Sequence, residues 1–296
     1  MRSISELLPP SALARLSNLN LIARWIVEGF ISGLHKSPYH GFSIEFAEYR
    51  PYTAGDDLRH FDWKVLAKSE RKYVKKYHSE TNMQAHLLLD CSASMGFGEP
   101  VTKLRYGQAI AAALAHLMIM QQDAAGVAVF ADKILDYLPP RASMRHFQDV
   151  SRILSNAKPQ SSTNIFAALE HLAEAVKRRG MFVIVSDLYD DVEKILAAIL
   201  HIRFNKHEVI LFHILDHKEL EFPYRALSEF KDLETSESVQ VAPMVYREAY
   251  KTALREFTDT MRRKCANMLV DYQLVDTQTP FDKVLAEYLF KRQKLN

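Results

Sequence analysis

From Gln84 onward the chain alternates short apolar runs with longer segments of helical periodicity, and this alternation constrains it more than any other feature. A strand, a helix and a second strand in succession close most simply as parallel neighbours with the helix laid across one face of the sheet. The strand-like runs are 85–89, 126–130, 134–138, 181–185, 208–215 and 268–275. Several are continuously apolar, as strands covered on both faces should be. The helical segments are 103–121, 144–156, 165–178, 192–204, 245–264 and 281–292. Ile165, Leu169, Leu172 and Val176 form an inward stripe, and Thr279-Pro280-Phe281-Asp282 reads as a helix start with Pro at the first turn. The expected class is α/β, with a doubly wound, mainly parallel sheet and helices on both faces.

The N-terminal part has a different texture. Between Ser11 and Gly29 the residues Leu13, Leu16, Leu19, Ile22, Trp25 and Ile26 recur at helical spacing, which predicts a docking helix. Residues 37–77 are rich in Tyr, Phe and His, with turn punctuation at Ser37-Pro38, Arg50-Pro51 and Gly55-Asp56-Asp57, and are expected to form short strands and turns. The division is therefore an N-terminal helix and β-rich extension over 1–83 and an α/β domain over 84–296. Within the latter, residues 216–240 carry seven acids against three bases and break the alternation as an exposed acidic excursion.

Composition excludes several classes of function. Apolar residues are 48% of the 296, which supports a full core, and the 38 basic against 36 acidic side chains leave no global attraction to nucleic acid. The longest apolar run, 109–120, is too short for a membrane span, and residues 1–10 do not form a secretory signal, so a cytoplasmic location is expected. The two cysteines, Cys91 and Cys265, make neither a metal pair nor a disulfide framework. No Walker A string, His-Glu-x-x-His pair or Gly-x-Ser-x-Gly elbow is present, and Gly96-Phe97-Gly98 lacks the third glycine of a dinucleotide loop.

The segment with chemistry to offer is Asp90-Cys91-Ser92-Ala93-Ser94, directly after the first apolar strand. In an open α/β sheet, ligands bind beyond the carboxyl ends of the strands, and Asp, Ser and Ser at alternate positions aim hard oxygens at one point. Asp and Ser also cap helices, so the string alone fits both readings. Two further loops fall at the same edge: Ser161-Ser162-Thr163-Asn164 before a helix, and Ser186-Asp187 at the end of a strand. Asp90, Ser92, Ser94, Thr163 and Asp187 then supply two carboxylates and three hydroxyls, a set suited to Mg²⁺ or Mn²⁺.

This pattern resembles the metal-ion-dependent adhesion site of the von Willebrand factor A domain, which joins an Asp-x-Ser-x-Ser loop to a distant Thr and a distant Asp. The resemblance implies that Ser92 and Ser94 ligate the metal directly, that Thr163 joins or leaves with the state of the site, and that Asp90 and Asp187 act largely through water. It also implies an acidic residue of a partner protein as the remaining ligand. Upstream, Ser37-Pro38-Tyr39-His40-Gly41, Glu48-Tyr49-Arg50-Pro51-Tyr52, Gly55-Asp56-Asp57-Leu58-Arg59 and Asp62-Trp63 are similar to the signature of the bacterial family of unknown function DUF58. Members of that family are typically encoded beside MoxR-type AAA+ ATPases. The resemblance therefore implies a non-enzymatic, metal-dependent protein-binding adaptor that works with such an ATPase in chaperone-like assembly or activation of client proteins.

Two other functions fit some of the same residues. A Mg²⁺-dependent hydrolase would use Asp90 or Asp187 to hold the ion while water attacks a phosphate ester, although no general base stands out in these loops. A scaffold with a vestigial metal site needs no chemistry at all. Lys64, Lys68, Arg71, Lys72, Lys75 and Lys76, interleaved with Tyr73 and Tyr77, can grip phosphates or an acidic protein face, or can simply guard a solvated strand edge. Arg50, Asp56, Asp57, Arg59 and Asp62 read as a structural ion-pair lattice.

Overall fold

Six runs assemble into one sheet because each satisfies its backbone only against a neighbour, and the central ones bury both faces while the outer strand over residues 134–141 stays largely exposed. We describe the chain from a computed structural model, which covers residues 18–34, 48–51, 73–76, 83–160, 164–224, 228–231, 233, 238–281 and 283–288. The chain divides into two compact units, residues 1–33 with 83–296, and residues 34–82.

In the larger unit the elements are α1 (Leu19–Leu34), β3 (Gln84–Asp90), α2 (Lys103–Met120), β4 (Ala124–Phe130), β5 (Ile134–Arg141), α3 (Met144–Asn156), α4 (Ile165–Ala175) and β6 (Met181–Ser186). These are followed by α5 (Val192–Phe204), β7 (Glu208–Leu215), α6 (His217–Glu221), β8 (Ser228–Lys231), β9 (Ser238–Val241), α7 (Pro243–Asn267) and β10 (Asp271–Asp276). Residues 283–288 are helical. The smaller unit contains β1 (Glu48–Pro51) and β2 (Tyr73–Lys76), an antiparallel pair in which Tyr49 faces Lys75.

The main sheet runs β10-β7-β6-β3-β4-β5, and every pairing is parallel except that of β4 with β5. The expected doubly wound, mainly parallel sheet is thus the one observed. Pro139 and Pro140 lie on the outer strand β5, where missing N–H groups discourage further pairing. Helix α2 is buried from Lys103 through Ile119 except at the half-buried Arg105, so it lacks the polar face of an ordinary surface helix. It sits close to the sheet at Gly107, where an added Cβ would lie 3.0 Å from Val185 and 3.1 Å from Leu89. The opposite face is covered by α4, α5 and part of α7, whose Leu169, Leu172, Ile195, Ile199 and Met261 pack on Leu88, Phe182 and Ile184.

Several boundaries differ from those expected. In α1, Leu19, Ile22, Ala23, Ile26 and Val27 are buried, but Trp25 points outward at 40% exposure because it lies a third of a turn off that stripe. The last strand begins at Asp271 rather than at 268, since α7 continues to Asn267 and the chain then turns through Leu269 at φ 55°. Helix α4 ends at Ala175 rather than at 178. Among the described residues no helix is long and apolar enough to cross a membrane.

Candidate metal centre

The centre lies where the strand order reverses. From β3 the chain steps outward through β4 and β5, then returns to place β6 on the other side of β3. Such a switch point opens a crevice beyond the carboxyl ends of the two central strands. The register pairs Leu89 with Val185, so Asp90 and the Ser186-Asp187 turn leave the sheet side by side.

Asp90 is fully buried. Its Oδ1 accepts the Ser92 amide at 2.8 Å and its Oδ2 accepts the Ser186 hydroxyl at 2.6 Å. Ser186 Oγ in turn accepts the Leu188 amide at 2.9 Å, which locks the hydroxyl toward the carboxylate. Burial, and then the negative charge of Asp187, push the Asp90 carboxyl up to about 7 against the lowering effect of these hydrogen bonds. Ser92 Oγ and Ser94 Oγ lie 3.0 Å apart. The loop is closed by residues on its far side: the Gln160 amide donates to Cys91 O at 2.8 Å, and Ser92 forms a parallel bridge with Gln160.

Asp187 is also buried, and it is already paired. Lys103, the first residue of α2, is wholly inaccessible and donates to Asp187 Oδ2 at 2.7 Å and to Glu219 Oε1 at 2.7 Å. Its ammonium lies 4.7 Å from the centroid of the Tyr189 ring and 5.8 Å from that of Phe97. Burial pulls the lysine pKa down, but the charges and hydrogen bonds of Asp187 and Glu219 outweigh it and hold the group above its ordinary value. Burial has the opposite effect on Glu219, raising its carboxyl although Lys103 works to lower it.

Glu219 comes from the acidic segment that was expected to be exposed. Its Oε2 accepts the Asp216 amide at 2.7 Å, and Asp216 Oδ1 accepts the Lys218 amide at 2.9 Å, a capping box that starts the short helix α6. Asp216 is itself buried and its Oδ2 accepts the Thr277 hydroxyl at 2.9 Å. Gly98 closes against this carboxylate with φ 116°, and an added Cβ would stand 2.7 Å from Asp216 Oδ2 and 2.8 Å from Val101 O. Nearby, His213 is buried on β7 opposite Ser186, with Nδ1 2.6 Å from the Tyr272 hydroxyl. Burial lowers its pKa to about 4, so the ring is neutral at physiological pH.

Of the five residues expected to hold a metal, Asp90, Ser92, Ser94 and Asp187 stand on the two loops at this crevice, whereas Thr163 lies outside the described residues. Its described neighbour Asn164 donates its amide to Ala131 O at 3.2 Å, just beyond the end of β4. Lys103 and Glu219 were missed from sequence. Two signals were available: a lysine at the first turn of a mostly apolar helix, where the helix dipole disfavours it, and the Asp-x-x-Glu spacing at 216–219.

The oxygen donors fit a hard divalent ion. Two ligands adjacent on an octahedron with bonds of 2.0–2.1 Å stand about 2.9 Å apart, close to the 3.0 Å at which the two serine hydroxyls hydrogen-bond to each other. The charge balance points the same way: Asp187 and Glu219 outnumber the one charge on Lys103, and Asp90, whose carboxyl burial and Asp187 push up to about 7, would be drawn into its charged form by a cation beside it. Among the described residues no three His, Cys, Asp or Glu side chains converge, so the hydroxyls would be needed as ligands. Asp187, with Oδ2 taken by Lys103, suits an outer position better than a direct one.

The family model for "Protein of unknown function DUF58" matches residues 48–260. The uncharacterized protein Mb1516 of Mycobacterium bovis is 28% identical over 221 residues, covering 72% of this chain and 68% of its own, and the uncharacterized protein Rv1480 of Mycobacterium tuberculosis matches to the same extent. Among solved structures, the conserved hypothetical protein BatB of Bacteroides thetaiotaomicron aligns at 15% identity and TM-score 0.49, covering 72% of this chain and 99% of that one. An aerotolerance-related membrane protein of Bacteroides fragilis aligns at 17% identity and TM-score 0.49, covering 71% and 99%.

Proposed function

The chain belongs to the DUF58 family, and from that premise we propose that it is a non-enzymatic, divalent-cation-dependent protein-binding module. The observation that carries this reading is the Ser92–Ser94 hydroxyl pair, set 3.0 Å apart beside the buried Asp90 carboxyl in a centre where acids outnumber the one lysine. Ser92 and Ser94 would hold Mg²⁺ or Mn²⁺ directly, Asp90 would lie behind them, and Thr163 would enter from the loop before α4. A hard ion held mainly by neutral hydroxyls keeps most of its charge and attracts an external carboxylate.

The chain's own residues do the rest. Ser186 and the Ser92 amide orient Asp90, while Lys103 anchors Asp187. The paired ends of β3 and β6 hold these groups in register, with Asp90 and Ser92 buried and Ser94 partly exposed toward a partner. The module would act in the cytoplasm as an adaptor for a MoxR-type AAA+ ATPase, presenting clients for assembly or activation. That partner follows from the family resemblance, and a basis for it at the level of residues is the metal-dependent contact.

The test is affinity capture from a bacterial lysate in Mg²⁺ and in EDTA, with wild type, Ser92→Ala and Asp90→Ala in parallel. Retention of an AAA+ ATPase by wild type in Mg²⁺, lost in EDTA and in both variants, is the expected outcome. Retention of the same ATPase regardless of metal and variant would sink the reading.

A further inference from the structure

Lys103 is unusual on three counts. It is completely inaccessible, its ammonium donates to two carboxylates at 2.7 Å, and it sits at the first position of α2, where the helix dipole opposes a positive charge. Lysine is almost never fully buried unless paired, and here the pairing draws on a residue of the metal loops and on one from outside them. Asp187 belongs to the β6 turn, Glu219 to the capping box of α6, and the Tyr189 and Phe97 rings lie beside the ammonium. The backbone is tied as well, since the Lys103 amide donates to Phe97 O at 2.9 Å in the loop that carries Ser94. The ammonium thus has a fixed position and little freedom to swing out.

We propose that Lys103 is a resident cation of this centre that sets its affinity for divalent ions, by occupying Asp187 and Glu219 and leaving Ser92, Ser94 and Asp90 to hold the metal. The inference rests on the metal reading above and deepens it. Without a divalent ion the lysine balances part of the buried negative charge, so the site folds before metal arrives. With one bound, the lysine repels it and keeps Asp187 out of its direct shell, which makes binding reversible. Without the lysine charge an ion at Ser92, Ser94 and Asp90 would be bound more tightly, because fixed charges at short range in a buried site interact strongly.

The prediction is that removing this charge tightens metal binding, the opposite of what loss of a merely structural contact would do. Lys103→Met and Lys103→Gln are compared with wild type by the electron paramagnetic resonance signal of free Mn²⁺ and by thermal unfolding with and without Mn²⁺. The glutamine variant keeps a neutral hydrogen-bond donor on the side of the two carboxylates, should the methionine variant fail to fold. We expect at least tenfold tighter Mn²⁺ binding in a folded neutral variant, a lower metal-free melting temperature, and a larger rise on adding Mn²⁺ than in wild type. Glu219→Gln, which leaves the lysine charge less compensated, is expected to weaken binding severalfold.

Adding Ser92→Ala to the neutral variant should abolish the gain. Wild type silent and Lys103→Gln binding through Ser92 also supports the proposal. Ser92-dependent binding that Lys103→Gln leaves unchanged or weakens overturns it while the metal reading survives. No Mn²⁺ bound by wild type or by either variant at millimolar concentration overturns both.

Discussion

The Lys103 ammonium and the Asp187 carboxylate stand 2.7 Å apart with side-chain exposures of 0% and 1%, joining the start of α2 to the turn after β6. Breaking a buried pair by removing one partner leaves the other charge unmatched in a medium that solvates it poorly, at a cost of about 3–5 kcal/mol. Asp187→Ala is therefore expected to lower stability by about 3 kcal/mol, with Glu219 still compensating part of the lysine charge. Urea denaturation of Asp187→Ala, Lys103→Met and the double variant checks this. The coupling energy should exceed about 1 kcal/mol, and additive losses would show that the pair does not interact.

Gly98 has no tolerable replacement. Its φ of 116° disfavours any L side chain, and a Cβ there meets a carboxylate oxygen and a backbone carbonyl, both firmly held. Gly98→Ala should cost about 2–3 kcal/mol, combining backbone strain with displacement of Asp216. Chemical denaturation measures the loss, and a cost under about 0.5 kcal/mol would contradict the geometry.

One source of acid sensitivity should be His86, on β3. This ring is buried at 3% exposure, stacks on Phe182 with centroids 5.1 Å apart, and its Nε2 has no hydrogen-bond partner. Burial, then the nearby His207, lower its pKa from 6.5 to about 4. The folded state resists the proton that the unfolded chain accepts, so stability is intact above the unfolded value and is lost as pH falls from about 6.5 toward 4. Relative to His86→Phe, wild type should lose about 2 kcal/mol more between pH 7.5 and pH 5, measured by urea denaturation at each pH. Parallel pH profiles for the two proteins would rule out this residue as the source.

Metal should stabilise the folded chain through the hydroxyl pair. A ligand that binds only the native state at a hundred times its Kd adds about 2.7 kcal/mol. Mg²⁺ is expected to raise the melting temperature of wild type over that in EDTA, and Ser92→Ala and Ser94→Ala should each remove most of the rise. Differential scanning calorimetry gives the comparison, and an equal shift in all three proteins would place the ion elsewhere.

Much of this architecture is legible in the residues themselves. Six apolar runs and the helices between them name the sheet, and Asp90-Cys91-Ser92-Ala93-Ser94 and Ser186-Asp187 name two of its loops. Local spacing carries that information because a strand buried on both faces must be continuously apolar and a loop that turns into a helix favours Asp and Ser. The acidic segment 216–240 reads as exposed because seven acids against three bases normally seek water. Asp216 and Glu219 turn inward all the same, since Thr277 and Lys103 supply what water would have.

What the sequence determined by itself was the alternation of elements, hence the doubly wound sheet, and the hard-oxygen loops at its carboxyl edge. Only the tertiary structure decided the charge of the centre. Lys103 and Asp187 lie 84 residues apart and Lys103 and Glu219 lie 116 apart. No local pattern encodes such a contact, because it forms only when the reversal of strand order at β3 and β6 brings the start of α2, the end of β6 and the start of α6 to one edge. A buried lysine there is stable only because that convergence gives it two carboxylates.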